Sequence, residues 1–252
     1  MQGLMMETPL LISSLIEHAG GYHADTEIVT RTVEGPPIHR HTYRDAHGRS
    51  RKLAKALAAL GVGQGERIAT LAWNTNRHFE VYYAVSSMGA VCHTINPRLF
   101  PPQIVYIVNQ AEDSYVFVDL TFLPLLEGVA DQLASLKGIV VMTDPEHMPA
   151  TKLQNVMCYE LLISDNDDYA WPVFDESTVS SLCYTSGTTG NPKGVDITPH
   201  EIIAFYDGKI AKWWTPDEVI FVDELPHTAT GKLLKTQLRE DFKDHKLPID
   251  GG

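Results

Sequence analysis

The sequence predicts an α/β fold: a mostly parallel sheet flanked by helices, with a small α+β part at the C-terminal end. Short apolar runs of strand length alternate with longer segments whose apolar residues recur at helical spacing. The 252 residues are enough to bury a sizeable core without disulfide staples. The composition, 44% hydrophobic and 21% charged, is that of an ordinary globular chain.

The elements follow in order. Leu10 to Ile16 is an apolar patch with no basic residue before it, so it reads as a helix packed on the core and not as a secretory signal. The remainder of the first forty residues shows no clear period. Arg51 to Leu60 reads as a helix with Leu53, Ala56, Leu57 and Leu60 on one face and Gly61 placed to end it. Arg67 to Trp73 is a buried strand, Phe79 to Met88 a helix, and Val91 to Ile95 a second strand. Gln103 to Ala111 is a helix that presents Ile104, Ile107 and Val108 to the core. Tyr115 to Asp119 and Gly138 to Thr143 are strands joined through a helix. Such alternation implies a parallel sheet with helices packed on it.

Residues 144–180 are rich in Pro, Asp and Asn and read as an irregular connection. Thr178 to Tyr184 is then one more strand. Beyond Val195 the texture changes: Pro199 to Trp213 has helical spacing, Val219 to Val222 is a strand, and Lys235 to Lys246 is a charged helix that buries Leu238 and Phe242. Trp213 and Trp214 are expected to serve core or interface packing.

The net charge of −12 disfavours a nucleic-acid partner, which needs clustered Lys and Arg. Residues 101–180 carry 13 acidic side chains against Lys137 and Lys152, so the rest of the chain is nearly neutral and can hold a local phosphate site. Cys92, Cys158 and Cys183 are odd in number and far apart, as expected of reduced thiols in a cytoplasmic protein. No apolar run reaches the ~18 residues of a membrane span. His39 and His41 lack a third ligand nearby in sequence, and no metal site is expected of this chain.

The most informative segment is Tyr184-Thr185-Ser186-Gly187-Thr188-Thr189-Gly190-Asn191-Pro192-Lys193-Gly194. Glycines let backbone N–H groups approach a ligand closely. Hydroxyls and free amides donate to phosphate oxygens, and Lys193 adds positive charge. A loop of this kind leaving a strand cradles polyphosphate. It is not a Walker A loop, because Gly187 and Gly190 are separated by two residues and Gly194 follows Lys193. Gly61-Val62-Gly63-Gln64-Gly65 has the wrong spacing and context for a dinucleotide fingerprint.

The whole string resembles the phosphate-binding signature of the adenylate-forming superfamily, which includes acyl-CoA synthetases. Pro226-His227-Thr228-Ala229-Thr230-Gly231-Lys232 resembles the segment that ends in that family's catalytic lysine. The runs Cys92 to Leu99 and Ile210 to Trp214 are similar to bacterial medium- and long-chain fatty-acid–CoA ligases and the methylthiopropionate–CoA ligase group. The resemblance implies an ATP-dependent acid–CoA ligase with a carboxylic acid, ATP and coenzyme A as substrates and Mg2+ carried by the nucleotide. It gives Lys232 the catalytic role. It assigns Thr185, Ser186, Gly187, Thr188, Thr189, Gly190 and Lys193 to the ATP phosphates. It makes His93 a candidate for the acyl or CoA channel, with a satisfied core histidine as the alternative.

Lys193 and Lys232 stand only 39 positions apart, far closer than in the family. The adenine, ribose and hinge segments have no match between them. The sequence therefore predicts an internally shortened family member. Residues 1–195 would be the N-terminal part of the AMP-binding domain, and 196–252 a partial lid carrying the catalytic lysine. Such a chain is expected to expose apolar surface on its sheet. The alternative reading is a non-catalytic remnant that retains a phosphate-binding loop.

Overall fold

A computed structural model describes residues 8–163, 167–185, 193–197, 226 and 234–243. The predicted helix at Pro199 to Trp213 and strand at Val219 to Val222 lie outside these residues, as does Trp214.

Helix α1 (Ile12–Tyr22) packs on the helices that follow, as expected of the Leu10 to Ile16 patch. The unreadable stretch after it forms an antiparallel hairpin, β1 (Glu27–Arg31) and β2 (Ile38–Thr42). Helix α2 (Tyr43–Ala59) starts eight residues before the expected Arg51. Its start is set by Thr42, whose side chain accepts from the Asp45 amide (3.2 Å) while Asp45 Oδ2 accepts from the Thr42 amide (2.9 Å). Its end is the one foreseen: Gly61 sits at φ +85°, and the Val62 amide bonds back to the Leu57 carbonyl in a Schellman turn.

The main sheet contains β3 (Arg67–Leu71), β4 (Val91–Thr94), β5 (Tyr115–Val118), β6 (Gly138–Val141), β7 (Val156–Cys158), β8 (Ser181–Thr185) and β9 (Lys193–Ile197). Its order is β7-β6-β5-β3-β4-β8-β9, and every neighbouring pair is parallel except β8–β9. The connections carry α3 (Asn76–Ser87), α4 (Pro101–Ala111), the short α5 (Leu123–Glu127) and α6 (Tyr159–Leu162). Helix α4 opens two residues before the expected Gln103 because prolines suit the first turn, where amides lack partners anyway. The C-terminal α7 (Lys235–Asp241) leaves Leu238 and Phe242 half-buried, where the sequence suggested full burial.

Register divides the core in two. Ile68, Cys92, Phe117 and Val140 face Leu53, Leu57, Val81 and Val85 of α2 and α3. The alternate residues Ala69, Leu71, Val116, Val118, Ile139 and Val141 face Ile104, Ile107 and Val108 of α4. Each fully buried Leu or Ile contributes roughly 1.5–3 kcal/mol. On α2 it is Ala54, not the expected Ala56, that joins Leu53 and Leu57 in full burial.

Residues 144–180, expected as an irregular but partly structured connection, contain regular elements. They hold β7 and α6, which complete the sheet edge and deliver Tyr159 to the core. A strand of three residues is too short to show a period, so composition gave no sign of it.

Tyr159 belongs to a buried ionic network that ties α2, α3 and α6 together. Arg49 Nε donates to Glu80 Oε1 (2.8 Å), and its two Nη atoms fork onto Glu160 (2.9 and 3.0 Å). Tyr159 Oη donates to Glu80 Oε2 at 2.7 Å. Arg77 Nε donates to Glu160 (2.8 Å), its Nη1 donates to the Met142 carbonyl (3.0 Å), and it also pairs with Glu34. Burial pushes the Glu80 carboxyl up, and Arg49 and Tyr159 offset only part of that. Burial alone would lower the Arg49 guanidinium, but Glu80 and Glu160 outweigh it and hold it charged.

Candidate functional site

The strand pair β8–β9 carries the phosphate motif. Its register sets Thr185 opposite Lys193 and Tyr184 opposite Gly194. The strands on either side of the glycine- and hydroxyl-rich segment are thus paired in the sheet. Sequence reasoning treated Thr185 to Gly194 as loop and did not find β9. The only signal for it was the alternation of Val195 and Ile197 with Gly194 and Asp196. The expected division at 195/196 falls within β9. Ser186, Gly187, Thr188, Thr189 and Gly190 lie outside the described residues, and so does Lys232. Thr185 and Lys193 are placed by their backbone.

His93 is fully buried on β4, beside Ala69 of β3 and Leu182 of β8. Its Nδ1–H donates to Asp113 Oδ2 at 2.7 Å, and its ring lies 5.1 Å from that of Tyr184. Asp113 is brought there by the turn that ends α4, where Glu112 adopts φ +53° and the Asp113 amide bonds back to the Val108 carbonyl. Burial pushes the Asp113 carboxyl up, and His93 offsets part of the shift.

A cleft of about 880 Å³ opens at the carboxyl ends of β3, β4 and β8. Its volume is in the range of small-molecule sites, and its walls are mostly apolar. Ile12 and Leu15 of α1, Val29 of β1, and Phe79 and Tyr83 of α3 form one wall. Leu15 and Val29 are 53% and 51% exposed. His93 is not among the residues that line the cleft.

His78 is among them, and sequence reasoning passed it over. It lies in α3 with Nδ1 3.1 Å from the Trp73 carbonyl and Nε2 3.1 Å from Thr70 Oγ1. The carbonyl can only accept, so Nδ1 carries the proton and Nε2 accepts from the Thr70 hydroxyl. Burial lowers the His78 imidazole, which keeps it neutral and its tautomer fixed at neutral pH.

Asp119, at the carboxyl end of β5, accepts from the Trp73 amide at 2.6 Å. Burial pushes its carboxyl up to about 6. The folded state therefore holds a proton between about pH 4 and 6 that the unfolded chain releases, and this group costs stability as pH rises through 6. Asp119→Asn keeps an acceptor for Trp73 and removes the charge. It is expected to stabilise the fold by about 2 kcal/mol at pH 8 and by almost nothing at pH 4. Urea melts at both pH values check this, and equal gains at both would contradict it.

With the fold and hairpin in place, comparison with known proteins is informative. The AMP-binding enzyme family profile matches residues 16–227. The 3-methylmercaptopropionyl-CoA ligase of Ruegeria lacuscaerulensis is 51% identical over 196 residues, covering 77% of this chain and 36% of the relative. The medium-chain-fatty-acid–CoA ligase of Ectopseudomonas oleovorans is 48% identical over the same shares of both chains. Among solved structures, an anthranilate CoA ligase in complex with anthranoyl-AMP superposes with a TM-score of 0.67 at 24% identity. That match covers 79% of this chain and 36% of the ligase. A fatty acyl CoA synthetase of Mycobacterium tuberculosis gives 0.60 at 23% identity, covering 75% and 34%. These two likenesses concern the fold. The chain spans about 36% of the length of the first two relatives. The profile match over residues 16–227, most of the chain, shows that this chain belongs to the AMP-binding enzyme family.

Proposed function

We propose that this chain is a shortened ATP-dependent acid–CoA ligase whose surviving chemistry is centred on the hairpin between β8 and β9. The carrying observation is the antiparallel pair Thr185↔Lys193, which brackets the segment rich in glycine and hydroxyls in the sequence. Backbone amides and hydroxyls of Thr185 to Gly190, with Lys193, would hold the β- and γ-phosphates of ATP.

In the reaction a carboxylate oxygen attacks the α-phosphorus and pyrophosphate leaves, giving an acyl-adenylate. The thiol of coenzyme A then attacks the acyl carbonyl, loses its proton, and AMP departs. Negative charge crowds between carboxylate and α-phosphate in the first transition state. Lys232 would offset it, as a compact charge on a long stem. Among the described residues no group of three or more His, Cys, Asp or Glu could hold a metal ion. By the family resemblance, Mg2+ would enter on the nucleotide phosphates and partly neutralise them. No helix of the described residues is long and apolar enough to cross a membrane. The charge balance argues against nucleic acid as a partner, and a cytoplasmic setting fits the free cysteines.

A second reading rests on the chain spanning 36% of its relatives' length: a phosphate-binding remnant without turnover. ATP–pyrophosphate exchange with added medium-chain acids separates the two. Exchange that depends on both acid and Lys232 supports the ligase. A folded sample that binds pyrophosphate through Lys193 but exchanges with no acid supports the remnant.

A further inference from the structure

The buried pair His93–Asp113 is half-satisfied. His93 Nε2 and Asp113 Oδ1 are buried without a hydrogen-bond partner among the described residues. An apolar side chain on β4 would pack there without that desolvation cost, and replacing a buried polar pair by apolar residues is often neutral or stabilising. Packing alone therefore does not account for the pair. What it does is fix one ring. The 2.7 Å bond to Asp113 sets the plane and tautomer of His93, and that ring stands 5.1 Å from the ring of Tyr184. Tyr184 is the first residue of the phosphate motif and the last but one of β8. Asp113 is itself held by the turn that closes α4.

We propose that His93, oriented by Asp113, is a positioning residue for the phosphate-motif segment: it holds the Tyr184 end of β8, where that segment begins, in one arrangement. This rests on the phosphate reading of Thr185 to Gly190 and Lys193. His93 touches no substrate in this role. It acts through Tyr184 and lies outside the cleft. The pair trades stability for a fixed loop origin, so stability and phosphate affinity should move independently when it is replaced.

The test uses the full chain, inorganic pyrophosphate as probe, and amide hydrogen exchange across residues 181–197. In the double variant His93→Leu/Asp113→Leu, thermal stability is expected to hold or rise. Pyrophosphate affinity should fall about tenfold, and exchange across 181–197 should quicken while the strands β3 and β5 stay protected. His93→Asn retains a donor to Asp113 but not the ring, and is expected to quicken the same amides. This single variant decides the matter if the double variant does not fold. Val81→Ala, in the opposite core layer, serves as the control for general destabilisation. Unchanged exchange at 181–197 in a folded variant, or affinity loss that merely tracks the loss of stability as in Val81→Ala, would overturn the proposal. Failure of the wild-type chain to bind pyrophosphate would overturn the phosphate reading, and the exchange measurement would still decide whether His93 holds β8.

Discussion

Glu80→Ala is expected to lower the thermal midpoint by about 10 °C or more. Glu80 is wholly buried and accepts from both Arg49 Nε and Tyr159 Oη. Removing it strands a buried hydroxyl and one side of a guanidinium. Breaking a buried pair from one side costs about 3–5 kcal/mol. In a chain of this size each kcal/mol moves the midpoint by about 2–4 °C. Glu80→Gln keeps an acceptor and should lose less, since Arg49 retains its fork on Glu160. A loss below about 1 kcal/mol for Glu80→Ala would mean the network does not lock α2, α3 and α6 together.

Lys232→Ala is expected to reduce acid-dependent ATP–pyrophosphate exchange by about 10²–10³-fold, the size of one preorganised charge at a developing anion. Pyrophosphate binding should survive, because the β- and γ-phosphates are assigned to the hairpin. Lys232→Arg should rescue little, since a planar fork does not replace a point charge at that reach. Loss of pyrophosphate binding and exchange together in Lys232→Ala would show that Lys232 belongs to the phosphate cradle and not to the α-phosphate.

How much of this was legible in the sequence varies with the length and period of each element. The strands β3 to β6 and helices α2 to α4 carry unbroken apolar patterns, and their burial follows them closely. The helix starts were shifted because Thr42 with Asp45, and Pro101, act through caps instead of periodicity. The three-residue β7 was missed for want of length, whereas β1, β2 and β9 are as long as β3 but carry polar or charged residues that break their apolar pattern. The segment Tyr184 to Gly194 carried the family resemblance, and the family match spans it. His78, Asp113 and Asp119 were not singled out as site residues. Asp113 and Asp119 owe their character to burial and to partners 20 and 46 positions away, and His78 to burial beside Trp73 and Thr70.

The most direct test of the central claim is a thermal melt of the full chain with and without Mg-ATP, with Lys193→Ala alongside. Specific binding at a hundredfold over Kd stabilises by about 2.7 kcal/mol, or roughly 5–10 °C here. A cooperative transition that rises by that amount in the wild type and stays put in Lys193→Ala is the expected result. A cooperative transition that nucleotide leaves unmoved would contradict a working phosphate hairpin.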